Sequence, residues 1–284
     1  MKCGSPILVR DKYGVLMRVP CGQCTNCRLN RAKMWSIRID HESRCWPSNV
    51  FLTLTYRDED LPADGSLSLE HMQNFMKNLR AYIKKPIRFY AAAEYSDWPA
   101  CRPHYHYVLF NVSFEDLPWK DFYKVKNGYR GIIKCWNKGL VHCGDVSPDS
   151  ACYVAGYVVK KLKGDMASLY GSCRSPFSVM SRRPGIGANY AKENADMLER
   201  NNFVVSKGVK YGLPRQYVQY LKHKKANYKK AHDYHEAFMQ EIADRAKRFG
   251  HSFWQEMEDC ENALVNLGNS KMKLKKRSKV DEII

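Results

Sequence analysis

Two histidines, His104 and His106, stand one residue apart in the run RPHYHYVLF, residues 102–110. Successive side chains of an extended chain alternate between faces, so the two imidazoles share one face while Tyr105 and Tyr107 take the other. Glu94 ends the preceding strand-like run IRFYAAAE, and a hairpin between the two runs would carry its carboxylate to the imidazoles. Asp97, in the connecting loop, is a second carboxylate within reach. Two imidazoles and one carboxylate hold a divalent ion and leave positions open for water or a phosphate oxygen. The plainer reading is a pair of half-exposed strand histidines.

A second constellation lies in ACYVAGYVVKK, residues 151–161. On a helix, Tyr153, Tyr157 and Lys160 fall on one stripe, with Lys161 one turn beyond Tyr157. The tyrosines could simply pack on a sheet. An apolar face is available without them, from Val154, Val158 and Leu162. A tyrosine hydroxyl can attack phosphorus and form a covalent intermediate, and a neighbouring ammonium favours the phenolate.

Cysteines make a third group. Cys21, Cys24 and Cys27 repeat at three-residue spacing, and Cys3 could complete a tetrahedral structural zinc site. An iron–sulfur cluster and plain buried thiols stay open as alternatives, because the usual second Cys-x-x-Cys pair is missing. His142 and Cys143 are adjacent in the chain and read as stray candidates.

Charge points to the partner. The 284 residues carry a formal net charge of +18, which suits a polyanion such as nucleic acid. From 207 to 230 there are eight Lys or Arg and no Asp or Glu, interleaved with Tyr211, Tyr217, Tyr220 and Tyr228. Lysines and arginines there and nearby, Lys161, Arg182, Arg183, Lys222, Lys224 and Lys225, are the expected phosphate contacts, and tyrosines can stack on unpaired bases. No apolar run is long enough for a membrane helix, and the charged start MKCGSPILVRDKYG predicts no signal peptide. No phosphate-binding glycine loop of the helicase type is present. Oligomeric state is not readable from the sequence.

Elements must position these groups. The patterns predict a helix over 29–44, a strand at 49–56, and a helix from a Ser68 cap through Ile83, stopped by Pro86. Strands follow at 87–94 and 104–112, paired as a hairpin. A short helix is expected in FEDLPWKDFYKV (114–125), a strand at 140–146 and a helix over about 149–163. The layout is α+β: an antiparallel sheet covered by helices on one face. Three parts are expected: a Cys-rich segment over 1–48, a catalytic core over 49–170, and a basic, mainly helical region over 171–284 ending in a mobile tail.

These motifs, in this order, carry a resemblance. FLTLTY (51–56), RPHYHYVLF and YVAGYVVK (153–160) resemble the three motifs of the HUH-type rolling-circle replication initiators. CGQCTNCR and SRRPGIG further resemble the initiators of microviruses, the gokushovirus group of single-stranded DNA phages. The resemblance covers roughly residues 1–200 and departs from the family norm in the aromatic Tyr105 between the histidines. It implies the HUH endonuclease fold, with His104, His106 and Glu94 holding Mg²⁺ or Mn²⁺ and Tyr157 and Tyr153 as nucleophiles supported by Lys160. It implies nicking and rejoining of origin DNA through a 5′-phosphotyrosine, with a host helicase and a host polymerase as partners, in the bacterial host cytoplasm. The alternatives are a non-catalytic single-strand-binding or packaging protein, and an HUH relaxase or transposase.

Overall fold

The structure, a computed structural model, describes residues 2–10, 16–97, 101–160, 168, 170–221, 239–248 and single positions between 250 and 266; of residues 148 and 157–160 it describes the backbone alone. The chain divides into two compact units, one of residues 32–221 and one of residues 1–31 with the residues beyond 221.

In the smaller unit, β1 (Ile7–Arg10) and β2 (Leu16–Val19) pair antiparallel, Ile7 opposite Val19. The cysteine run follows and leads into α1 (Thr25–Ser43). Residues 239–248 are helical, and Glu241 there accepts an ion pair from Lys2 at 2.7 Å.

The larger unit is organised on one sheet. In chain order its elements are β3 (Asn49–Thr55), α2 (Leu69–Ile83), β4 (Arg88–Tyr95), β5 (Pro103–Phe110), β6 (Trp119–Val125), β7 (Gly128–Ile133), β8 (Trp136–Asp145), α3 (Pro148–Lys160) and β9 (Phe177–Met180). After these come α4 (Ala188–Glu193), α5 (Ala195–Asn201), a hairpin of β10 (Phe203–Ser206) with β11 (Val209–Gly212), and α6 (Arg215–Tyr220). The seven sheet strands run in the order β6-β7-β8-β3-β5-β4-β9, and every pair is antiparallel. This is the α+β architecture expected of the sequence.

Alternation sets the two faces. Val50, Leu52, Leu54 and Tyr56 point to one side, where Met72, Phe75, Met76 and Leu79 of α2 cover them together with Tyr105 and Tyr107. Each such leucine, fully removed from water, contributes roughly 1.5–3 kcal/mol. Ser68 caps α2 by accepting the His71 N–H at 3.1 Å. The Tyr105 hydroxyl accepts the Ser68 N–H at 2.9 Å and bonds the Tyr56 hydroxyl at 2.8 Å, so the buried back of β5 is tied to the start of α2.

The opposite face carries the second core. Ala151, Val154 and Ala155 of α3 pack with Ile39 of α1 onto Tyr90, Ala92, Val108 and Phe110. Helices therefore cover both faces, not one. The α3 side is filled by small and β-branched residues, whose spacing in the sequence is too sparse to announce a packing stripe. Ser147 starts α3 by a reciprocal bond with Ser150, at 2.7 and 3.1 Å.

The helix expected in FEDLPWKDFYKV is instead largely strand. β6 pairs with β7 around the two-residue turn Lys126–Asn127, with Val125 opposite Gly128. Trp119, Phe122, Tyr123 and Val125 are strand formers, and the Asn127-Gly128 step favours the tight turn. Gly128 (φ +128°) is obligatory, since a Cβ there would sit 2.1 Å from the Cys143 carbonyl oxygen. Between the helices after residue 170, strands β9, β10 and β11 also appear. Each has four residues, too short to declare itself by alternation.

Buried polar groups hold the α1 side. Glu42, fully buried, accepts from Arg88 at 2.5 Å, from the Trp46 indole at 3.1 Å and from the Gly187 N–H at 2.6 Å. Among the described residues no helix is long and apolar enough to cross a membrane.

Candidate active site

The cross-strand register assembles the site. β4 pairs with β5 so that Glu94 lies opposite His104 and Ala92 opposite His106, while β3 places Thr55 and Thr53 on the other side of the same two histidines. All of these share the α3 face. Glu94 Oε1 is 2.9 Å from His104 Nε2 and 3.3 Å from His106 Nε2. The ligand atoms of Glu94, His104 and His106 all lie within 4.8 Å of one another. Asp97 is not part of this set.

Hydrogen bonding tests whether these residues suit an ion. His104 Nδ1 donates to the Arg102 carbonyl at 3.1 Å. Its Nε2 lone pair then faces the Glu94 carboxylate, and two acceptors 2.9 Å apart need a proton or a cation between them. Nδ1 held by a backbone carbonyl with Nε2 turned inward is the usual support of a metal-binding imidazole. His106 is held the same way, Nδ1 to Thr53 Oγ1 at 3.0 Å. Burial opposes ionisation of Glu94, but hydrogen bonds from the two histidines, and their charge, outweigh it and hold the carboxyl at about 2. The donor set fits a hard-to-borderline divalent ion.

Tyr153 of α3 comes down onto this face. Its ring stands edge-on to His106, centroids 5.5 Å apart, and edge-on to Phe51 at 6.1 Å, while Phe51 stacks on His106 at 5.8 Å. Tyr153 is 39% exposed and lines, with Thr53, Thr55, His104, His106, Arg130 and His142, an open pocket of about 370 Å³. Tyr157 and Lys160 are on the same helix, but their side chains lie outside the described residues, as do Lys161, Lys222, Lys224 and Lys225 altogether. Arg183 is exposed. Arg182 lines a separate groove of about 610 Å³ on the α2 side, with Met72, Met76, Arg80 and Phe89, so it is not brought to the histidines.

Two pocket residues escape sequence reasoning. His142, a stray by its spacing, faces the site because β8 pairs it with Thr53. Arg130 is paired in turn with His142. Burial, and then the Arg130 guanidinium, push the His142 imidazole below its ordinary range. The alternation of LVHCGDV is a usable signal for His142; the face of Arg130 depends on a hairpin whose first half has a helix-like opening.

The cysteines form a second candidate metal centre in the smaller unit. The sulfurs of Cys3, Cys21, Cys24 and Cys27 all lie within 4.8 Å of one another, with Cys3 3.5 Å from Cys21 and 3.7 Å from Cys24. A tetrahedral zinc with Zn–S near 2.3 Å requires sulfurs roughly 3.8 Å apart. Backbone N–H groups of Cys21 and Cys24 donate to Cys3 and Cys21 sulfurs at 3.3 Å. Burial opposes it, yet backbone hydrogen bonds at Cys24 lower its thiol to about 6, whereas burial raises Cys3 and Cys27.

Comparison with known proteins agrees with this geometry. A family model described as replication-associated protein, of the ORF2 type, matches residues 49–162. The chain is 33% identical over 219 residues to the replication-associated protein VP4 of Bdellovibrio phage phiMH2K, covering 72% of this chain and 67% of that protein. It is 30% identical over 227 residues to the replication-associated protein ORF2 of Spiroplasma virus 4, covering 74% and 69%. Against the replication-associated protein ORF4 of Chlamydia phage 1 it is 30% identical over 217 residues, covering 72% and 53%. No solved structure matches the chain.

Proposed function

This chain belongs to the ORF2-type family of phage replication-associated proteins, and on that premise we propose that it initiates rolling-circle replication by nicking the origin strand of a small circular single-stranded DNA genome. The observation that carries the reading is Tyr153 standing edge-on to His106 in one pocket with His104, while Glu94 bonds both histidines.

Glu94, His104 and His106 would hold Mg²⁺ or Mn²⁺, which supplies Lewis-acid polarisation of the scissile phosphate. Tyr153 is the first nucleophile. Its phenol gives up a proton to solvent, its oxygen bonds to phosphorus, and the bond to the 3′ oxygen breaks. The products are a 5′-phosphotyrosine and a free 3′-OH that primes a host polymerase. Tyr157, one helical turn on, is the second nucleophile: after one circuit it cleaves the regenerated origin, and the released 3′-OH rejoins the displaced strand into a circle. Lys160 favours phenolate. Lys161, Arg182, Arg183, Lys222, Lys224 and Lys225 contact DNA phosphates. Cys3, Cys21, Cys24 and Cys27 bind a structural zinc ion, whose tetrahedral spacing their sulfurs already approach. Strand separation falls to a host helicase, in the bacterial cytoplasm.

The test is an adduct assay on single-stranded phage origin DNA with Mn²⁺, read by denaturing gel and by mass spectrometry of the modified peptide. Tyr153→Phe and Tyr157→Phe each leave one adduct, and the double variant leaves none. An undiminished adduct in the double variant overturns the mechanism.

A further inference from the structure

One row of side chains runs straight across the sheet, away from the site. His106 on β5 is opposite Thr53 on β3, Thr53 opposite His142 on β8, His142 opposite Arg130 on β7, and Arg130 opposite Tyr123 on β6. Cross-strand partners share a face, so all five lie on the side that carries the histidines. Strands lie about 4.8 Å apart, which puts His142 roughly 10 Å from His106 and Tyr123 roughly 20 Å away. That is too far for His142 to join the ligand set, and it is not among the residues whose ligand atoms converge there.

The outer half of the row has the character of a nucleic-acid surface. Arg130 is exposed and makes no ion pair or hydrogen bond among the described residues. Tyr123 is 53% exposed on the edge strand and has no ring contact among the described residues. Its neighbours Phe122 and Tyr129, on the opposite face, pack with Phe114 and Trp119. The hairpin needs those rings for its own packing; it does not need Tyr123. Lys120, Lys124, Lys126 and Arg130 in the same hairpin face a single carboxylate, Asp121, which lies on the Tyr123 side. The row is continuous with the pocket, since Arg130 and His142 line it beside His104 and Tyr153.

We propose that β6, β7 and β8 form the platform for single-stranded DNA next to the scissile phosphate. The adjoining phosphate lies between His142 and Arg130, and a base stacks on Tyr123. The proposal rests on the nicking reading for its direction from the site, but its residues can be tested by binding alone.

The probe is fluorescein-labelled oligothymidylate, followed by anisotropy across a salt series with the full chain. Tyr123→Ala is expected to weaken binding roughly 5- to 150-fold, the range of one stacked base, and Tyr123→Phe to restore it. Arg130→Ala is expected to flatten the log–log salt slope by about 0.7, one phosphate contact on a single strand. His142→Gln is expected to weaken binding with the slope retained. Wild-type affinity and slope in both Tyr123→Ala and Arg130→Ala overturn the platform. The two readings separate in the adduct assay. A chain that loses oligothymidylate with these substitutions but never forms a covalent adduct keeps the platform and ends the nicking reading. Normal nicking with unaltered binding in the variants does the reverse.

Discussion

Replacing Glu94 by Gln keeps the shape of the site and removes the charge on which it is built. Two routes give the cost in the metal-free protein. The carboxyl, held at about 2 against an ordinary 4.5, prefers its ionised form by roughly 3 kcal/mol at about 1.4 kcal/mol per pH unit. Its bonds to His104 and His106, at 2.9 and 3.3 Å, are of the charged kind, worth about 1.5–3 kcal/mol each and not additive. Both routes give about 3 kcal/mol. For a unit of about 190 residues (32–221), this lowers Tm by roughly 6–12 °C. Mn²⁺ at about a hundred times its Kd then stabilises the wild type by about 2.7 kcal/mol, a further rise of roughly 5–10 °C. Glu94→Gln and His106→Ala should lose most of that rise. Differential scanning fluorimetry with and without Mn²⁺ reads both effects, independent of DNA. A full Mn²⁺ shift in either variant would refute the assignment of this three-residue set.

Other outcomes follow from the same geometry. His41, buried against Tyr217 and Tyr190, is held near 4 chiefly by burial and then by Arg44. Its folded pKa lies below the unfolded 6.5, so the unfolded chain binds the extra proton, and stability should fall by up to about 3 kcal/mol as pH drops from 6.5 to 4. Urea midpoints against pH check this, and His41→Gln should flatten the curve. Glu42→Gln leaves Arg88 short of its buried partner and should cost about 3–5 kcal/mol by urea unfolding. Cys24→Ser should abolish stoichiometric zinc measured by elemental analysis of protein purified without chelator, while Cys173→Ser, outside the cluster, should not.

How much of this is legible in the sequence depends on the range of the interaction. Alternation in FLTLTY and HYHYVLF places the core and the histidine face on opposite sides, and the loop between Glu94 and His104 is short enough to imply their hairpin. The Ser68 cap is readable because capping is local. Where strands far apart in the chain become neighbours, local pattern is silent. That Thr53 sits between His106 and His142 is a statement about sheet order, fixed by packing across the whole unit. The β6–β7 hairpin is hidden for a different reason. FEDLP opens like a helix, and its charge pattern masks the β-forming aromatics that follow.

The tyrosine between the two histidines carries a mechanical consequence. Tyr105 hangs from the same strand as the ligands but reaches through to the first turn of α2, where its hydroxyl takes the Ser68 N–H and meets Tyr56, itself bonded to His71. Strand and helix are thus riveted at one point, directly beneath the imidazoles. An ion that stiffens β5 should slow amide hydrogen exchange at the start of α2, on the far side of the sheet from where it binds.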